Sequence, residues 1–177
     1  EREARPAAYL SPELDNERAR TMATALPDGY SLPTLGDRRI NQLPGGAFSH
    51  NCPASEDNKN CGAYDIDVED GKGEHSDNID PIFAPANGDL YHLDGPYGNT
   101  VKIVHSNGAT TYLGHLKEFR FSVDETHIPK GTMVGTGGCT GWCTGSHVHW
   151  IVRPTAEPTS YEYISIDGIT GLSPATK

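Results

Sequence analysis

The chain has 177 residues, which suits one compact domain able to bury a sizeable core. Its formal net charge is -10, and this argues against a nucleic-acid partner, because nucleic-acid binders carry a basic patch. No stretch approaches the ~18 consecutive apolar residues of a membrane span, so no membrane span is expected. Glu1 in place of a starting Met is typical of a mature or trimmed form.

Residues 1–45 differ in character from the remainder of the chain. Ser11 and Pro12 fit the start of a helix, and we predict a short helical stretch from there through Ala25. Frequent Pro and Gly between residues 27 and 44 prevent long regular structure after it. We interpret 1–45 as an N-terminal arm or linker remnant, followed by a folded domain at 46–177.

From residue 46 onward the pattern indicates short strands joined by turns. Residues 63–68 alternate apolar and acidic side chains, as a half-buried strand does. Two apolar runs flank Asn107-Gly108 and predict a hairpin with this dipeptide at its tip. Further strands are predicted at 81–84, 89–93, 130–135 and 147–152. The predicted fold class is mainly β, with an antiparallel sheet and few short helices.

The four cysteines occur as two close pairs, Cys52 with Cys61 and Cys139 with Cys143. Spacing alone favours disulfides within each pair. Disulfides would indicate an oxidising compartment, either the periplasm or the cell exterior. The alternative is a zinc site built from all four thiolates, although the usual C-x2-C spacing of such sites is absent.

Histidines supply the strongest chemical signal. His147 and His149 are two apart in a predicted strand, so both side chains project from one face; two surface histidines would also explain the pair. His115 follows the predicted hairpin, where a single histidine is more often structural. His50 and Asp65 add an imidazole and a carboxylate upstream. Two histidines and one carboxylate would leave a tetrahedral zinc with an open fourth position.

Six blocks of sequence resemble, in the same order, those of the lysostaphin-type zinc endopeptidases, a family that includes the beta-lytic and staphylolytic secreted proteases. The blocks are 46–50, 64–67, 81–88, 97–101, 112–116 and 147–149. The resemblance implies an antiparallel sheet with a metal-binding groove over it. It also implies cleavage of peptides in bacterial cell walls, often beside Gly or D-Ala.

The resemblance assigns roles to five side chains. His50, Asp65 and His149 correspond to the zinc ligands, and His115 and His147 to the catalytic pair. The chain has no H-E-x-x-H motif, so histidines would have to replace the general-base glutamate of helical zinc proteases. They would take a proton from a zinc-activated water and assist departure of the amine.

Some assignments stay open at this stage. An acidic insertion at 72–80 contains His75 and Asp80, a second His-then-Asp pair that competes with the assigned ligands. Asp67 lies on the same strand face as Asp65 and is another possible ligand. Tyr112 is a candidate for supporting the oxyanion, and a role in core packing explains it equally well.

The sequence therefore predicts a secreted or periplasmic zinc metalloendopeptidase, monomeric, whose substrate is a peptidoglycan cross-bridge or stem peptide. One alternative is a non-catalytic envelope-binding or activator module of the same fold. A small glycan-binding β domain with incidental histidines is another. A third alternative keeps the protease and changes its target to Gly-rich matrix proteins such as elastin.

Overall fold

The structure is a computed structural model that describes residues 23–25, 30–34, 38–44, 49–50, 62–68, 80–154, 163–165 and 172–174. These residues form strands and no helix, and the predicted mainly β class is confirmed. The strands are β1 (Ala23–Ala25), β2 (Arg38–Gln42), β3 (Tyr64–Asp67), β4 (Pro81–Phe83), β5 (Gly88–Leu93), β6 (Asn99–Val104), β7 (Thr110–Leu116), β8 (Glu118–Phe119), β9 (Thr126–Ile128), β10 (Met133–Thr136), β11 (His147–Arg153), β12 (Tyr163–Ser165) and β13 (Leu172–Pro174). The described segments contain no helix with the length and apolar character that a membrane crossing requires.

Eight strands form the main sheet, in the spatial order β13-β2-β3-β11-β7-β6-β5-β9. Every pairing within it is antiparallel except the one between β13 and β2 at its edge. A second sheet has the order β4-β10-β8, and β1 pairs with β12 in parallel. Strand β11 therefore lies near the middle of the main sheet, between β3 and β7.

The core covers one face of the main sheet. On β11, Val148, Trp150 and Val152 point to one face and are almost completely buried. On β3, Ile66 pairs with Val148 and Tyr64 with Trp150, so the apolar face continues across the two strands. The same cluster includes residues of the smaller sheet, which packs against this core. The opposite face of β3 and β11 carries Asp65, His147 and His149, together with the apolar Ile151.

The predicted hairpin is formed by β6 and β7. Gly108 adopts a φ of 85°, in the left-handed region that glycine occupies without steric cost. The backbone N–H of His105 donates to the Ala109 carbonyl at 2.9 Å, which closes the turn. The pairing continues to Leu116, so His115 lies within β7 and not after the hairpin.

The N-terminal segments depart from the prediction. Ala23–Ala25, expected to end a helix, form strand β1 and pair with Tyr163–Ser165, which supplies their backbone hydrogen-bond partners. Residues 11–22 lie outside the described residues. Arg38–Gln42, placed in the arm, is a strand of the main sheet beside β3. The division into 1–45 and 46–177 stays a prediction.

Candidate metal centre

Three of the predicted ligands converge on the polar face of the sheet. His149 and Asp65 are cross-strand partners on β11 and β3, and His50 reaches the same point from the segment after β2. Asp65 Oδ1 lies 3.0 Å from His149 Nδ1 and 3.3 Å from His50 Nε2. One ligand atom from each residue lies within 4.8 Å of the other two. Both histidines are buried and Asp65 is nearly so.

His50 is held by residues at the end of β2. Its Nδ1 donates to the Leu43 carbonyl at 3.3 Å, which turns Nε2 toward Asp65. With the side-chain amide of Gln42 oriented so that its oxygen faces these donors, that oxygen accepts hydrogen bonds from the backbone N–H of Ser49 at 3.1 Å and of His50 at 2.7 Å. Gln42 is also the cross-strand neighbour of Asp65. Strand β2 and the residue after it thus connect the His50 imidazole to the Asp65 carboxylate.

The donor set and its spacing fit a zinc ion. Two imidazole nitrogens and a carboxylate oxygen are ordinary zinc ligands, with bonds of about 2.0–2.1 Å. In a tetrahedron with such bonds, neighbouring ligand atoms are about 3.3 Å apart. The two separations from Asp65 Oδ1, 3.0 and 3.3 Å, match this value. Three protein ligands leave a fourth position for water or substrate.

The electrostatics favour the protonation states that bind a metal. Burial alone would raise the pKa of Asp65, but the side-chain hydrogen bonds of His149 and His50 outweigh it and hold that pKa well below its ordinary value. Burial lowers the pKa of His149 to about 4, and the hydrogen bond to Asp65 offsets this only in part. An ionised carboxylate beside a neutral imidazole is the state that a cation requires.

The predicted catalytic histidines lie beside this cluster. The ring centroids of His115 and His147 are 4.6 Å apart, and the rings meet edge to face. His147 Nε2 lies 3.5 Å from Asp65 Oδ1, and the His115 ring is 5.8 Å from that of His149. All five predicted side chains therefore surround one point on the sheet.

Backbone carbonyls define the tautomers of both histidines. His115 Nδ1 lies 2.7 Å from the Thr140 carbonyl, and His147 Nδ1 lies 2.7 Å from the Gly145 carbonyl. A carbonyl only accepts, so each Nδ1 carries the hydrogen and each Nε2 has its lone pair available. Burial lowers the pKa of His115, and the neighbouring His147 lowers it further, against the opposing effect of the Thr140 bond. A neutral His115 is suited to accept a proton.

A β-bulge sets the direction of His115. The register between β6 and β7 shifts at this point, and His115 adopts a φ of 63°, which is uncommon for a residue with a side chain. Its backbone N–H donates to the Tyr97 carbonyl at 2.7 Å. Non-glycine residues held in this region concentrate at functional sites, because the surroundings must offset the strain.

Tyr97 is a site residue to which the sequence assigned no role, although it begins one of the six blocks. Its ring stacks on His149, with centroids 4.6 Å apart and planes 11° from parallel. Gly114, the cross-strand partner of His149, makes room for it: a Cβ at position 114 would lie 2.8 Å from the Tyr97 Cβ. The glycine therefore permits the stacking that holds the imidazole of His149, a candidate metal ligand, in place.

The competing ligands have different positions. Asp67 lies two residues beyond Asp65 on the same face, opposite His147, and is outside the group of three ligands found in the described residues. Asp80 precedes β4, and its carbonyl accepts a hydrogen bond from Gly137 at 2.8 Å. His75 lies outside the described residues.

The remaining predicted residues are Tyr112 and the cysteines. Tyr112 pairs with Ile151 on the face that carries His149, and its role in supporting the oxyanion stays a prediction. Cys139 and Cys143 form a disulfide with Cα atoms 5.3 Å apart. Cys52 and Cys61 lie outside the part of the chain that the structure describes.

Known proteins share this sequence pattern and this fold. Residues 64–161 match the model of peptidase family M23. Over 82 residues the chain is 37% identical to the DD-carboxypeptidase/endopeptidase Mpg of Neisseria meningitidis serogroup B. The aligned segment covers 45% of this chain and 19% of that protein. The chain thus spans about a fifth of the length of the curated relatives it matches.

Two solved structures show the same fold. The catalytic domain of a variant of the prophage-encoded M23 protein EnpA from Enterococcus faecalis gives a TM-score of 0.52 at 18% identity, covering 84% of this chain and 99% of that one. The antimicrobial peptidase lysostaphin from Staphylococcus simulans gives a TM-score of 0.54 at 18% identity. This match covers 75% of the present chain and 49% of the lysostaphin chain. Since the family match extends over more than half of the residues, the chain belongs to peptidase family M23.

Proposed function

We propose that this chain is a secreted or periplasmic zinc metalloendopeptidase that hydrolyses peptide bonds of bacterial peptidoglycan, beside Gly or D-Ala in a cross-bridge or stem peptide. Family M23 includes peptidoglycan endopeptidases, and Mpg is named as a carboxypeptidase and endopeptidase. The observation that carries the proposal is the convergence of His50, Asp65 and His149 on one point, with one ligand atom of each within 4.8 Å of the others.

His50, Asp65 and His149 are proposed to hold the zinc ion through Nε2, a carboxylate oxygen and Nδ1. Once bound, zinc would act as a Lewis acid that lowers the pKa of a coordinated water toward neutral pH and polarises a carbonyl oxygen. The stacked Tyr97 ring and the Leu43 carbonyl hold the two imidazoles in orientation. Such outer partners support metal affinity because they reduce the motion of the ligands.

Proton transfer is assigned to His115 and His147. Each presents Nε2 as an acceptor, since each Nδ1 donates to a carbonyl. A water molecule placed between these rings and the metal cluster can lose its proton to one Nε2, which becomes an imidazolium. The hydroxide left behind can add to the scissile carbonyl carbon. As the C–N bond then breaks, the imidazolium donates its proton to the nitrogen of the departing amine, so the histidine returns to its neutral form.

The test combines metal analysis with digestion of cell walls. Purified protein should contain one zinc per chain, and it should release new amino termini from peptidoglycan in a reaction that a chelator stops and zinc restores. Peptidoglycans of different bridge chemistry, with elastin alongside, would identify the bond by mass spectrometry of the fragments. His149→Ala should abolish both zinc binding and release.

The matched control is His127→Ala, which removes an exposed imidazole on β9 at the far edge of the sheet. It should keep full activity and full zinc content. Release that continues in the chelator and in His149→Ala would refute the zinc mechanism. One bound zinc with no cleavage of any wall or of elastin would support the non-catalytic module instead.

A further inference from the structure

The segment between β10 and β11 contacts both catalytic histidines. Thr140 and Gly145 belong to it, and their carbonyls accept the Nδ1 hydrogens of His115 and His147, each at 2.7 Å. The disulfide between Cys139 and Cys143 closes this segment around Thr140. One short, cross-linked loop therefore sets which ring nitrogen of each histidine carries the hydrogen.

The hydroxyl of Thr140 fixes the position of its own carbonyl. It accepts a hydrogen bond from the Asn99 backbone N–H at 2.9 Å and donates to the Leu116 carbonyl at 2.8 Å. Asn99 and Leu116 are cross-strand partners at the ends of β6 and β7, and Leu116 directly follows His115. The hydroxyl thus joins the loop to the two strands at the bulge that carries His115.

Two glycines allow this close approach. Gly98 has a φ of 60°, and a Cβ there would lie 2.3 Å from Thr140 Oγ1. Gly141 has a φ of 72°, and a Cβ there would lie 2.2 Å from the Gly98 nitrogen. The Trp142 N–H donates to the Pro96 carbonyl at 2.8 Å and continues the contact. The loop is therefore held against residues 96–99 by several independent contacts around Thr140.

We propose that Thr140 is a positioning residue for His115: its hydroxyl holds the disulfide-closed loop where the Thr140 carbonyl keeps the hydrogen on Nδ1 and leaves Nε2 facing the metal cluster. The inference rests on the proposed function for its effect on catalysis. Its structural part, the tautomer of His115, does not depend on that function. A histidine whose Nδ1 partner is displaced can take the other tautomer or rotate, and it then presents an N–H where a lone pair is required.

Thr140→Val tests the hydroxyl with little change of shape, and Thr140→Ser restores it. In zinc-loaded Thr140→Val, we expect kcat on a bridge peptide to fall about 10-fold to 100-fold, the range for small misplacement of a catalytic group, with KM within twofold. Zinc content should stay at one per chain, and Thr140→Ser should recover most of the activity. Thr126→Val is the matched control, because it removes the hydroxyl of a threonine on β9 that donates to the Val123 carbonyl.

Nitrogen-15 NMR of histidine-labelled, zinc-loaded protein reads the tautomer directly, with His115→Gln identifying the signals. Wild type should show hydrogen on Nδ1 of His115, and Thr140→Val should show a mixture or the Nε2 form. A purely structural threonine would lower the melting temperature of Thr140→Val and leave both the tautomer and kcat unchanged. An Nε2–H form in the wild type would also overturn the proposal.

Two further results are interpretable. If Thr140→Val does not fold, Thr140→Ala, which removes the same hydroxyl and adds no volume, takes its place; an unchanged tautomer and kcat in that variant contradict the proposal. If wild type holds zinc and the Nδ1–H tautomer but cleaves no peptide, the proposed hydrolysis fails, while the positioning of His115 by Thr140 is supported whenever Thr140→Val changes the tautomer.

Discussion

Asp65→Asn is the most informative change in the candidate metal centre, because one carboxylate oxygen contacts three imidazoles. Oδ1 lies 3.0 Å from His149 Nδ1, 3.3 Å from His50 Nε2 and 3.5 Å from His147 Nε2. Asparagine has the same shape and still accepts the hydrogen bond of His149, so the metal-free fold should persist. What the variant loses is the negative charge of the Asp65 carboxylate, the form of this side chain that the histidines stabilise.

The expected magnitude follows from linkage between zinc binding and folding. Loss of outer-sphere partners costs 10–100-fold in metal affinity, and we expect loss of a charged direct ligand to cost at least about 100-fold. At free zinc 100 times the wild-type Kd, binding stabilises the wild type by about 2.7 kcal/mol, or about 5–10 °C in melting temperature. A Kd weakened 100-fold leaves about 0.4 kcal/mol, or about 1 °C.

The assay is thermal unfolding of Asp65→Asn and wild type, each with a chelator and at buffered free zinc, together with zinc content by mass spectrometry. Asp67→Asn is the matched control, since this carboxylate lies two residues along the same strand face. It should keep nearly the whole zinc-dependent shift. A full shift in Asp65→Asn together with a lost shift in Asp67→Asn would refute the ligand assignment.

Three other changes give distinct results. Gly114→Ala places a Cβ 2.8 Å from the Tyr97 Cβ, so we expect about 1–3 kcal/mol of destabilisation by chemical denaturation and reduced activity; an unchanged midpoint would contradict the role of Gly114. Trp142→Ala removes an indole that is 86% exposed beside the site. We expect unchanged stability and a KM for peptidoglycan that is raised about 2-fold to 10-fold, because an exposed indole can contact the substrate. An unchanged KM would exclude contact between Trp142 and the substrate. Burial lowers the pKa of His105, so its stabilising contribution is complete above its unfolded pKa of about 6.5 and is lost as pH falls through the lower folded value. The advantage of wild type over His105→Gln in melting temperature should therefore shrink between pH 7.5 and 5, and a constant difference would refute this account.

Local pattern was sufficient for most of the central strands and for the turn between β6 and β7. Alternation of apolar and polar residues has a period that only a strand satisfies, and Asn107-Gly108 suits a tight turn. The same alternation placed His147 and His149 on one face. Strands β2, β8, β9, β12 and β13 were missed, because these segments are too short to show a periodic pattern. Their backbone groups find partners only when distant segments come together.

The order of motifs along the chain determined the family resemblance and the candidate site residues, since both are properties of the sequence alone. Only the tertiary structure decided which residues meet: Asp65 and His149 are 84 positions apart, and Thr140 and His115 are 25 apart. Strand order brings β3, β11 and β7 side by side, and no local period encodes that order. The bulge at His115, the stacking of Tyr97 and the hydroxyl of Thr140 depend on contacts across strands and loops, so their roles became visible only in the folded chain.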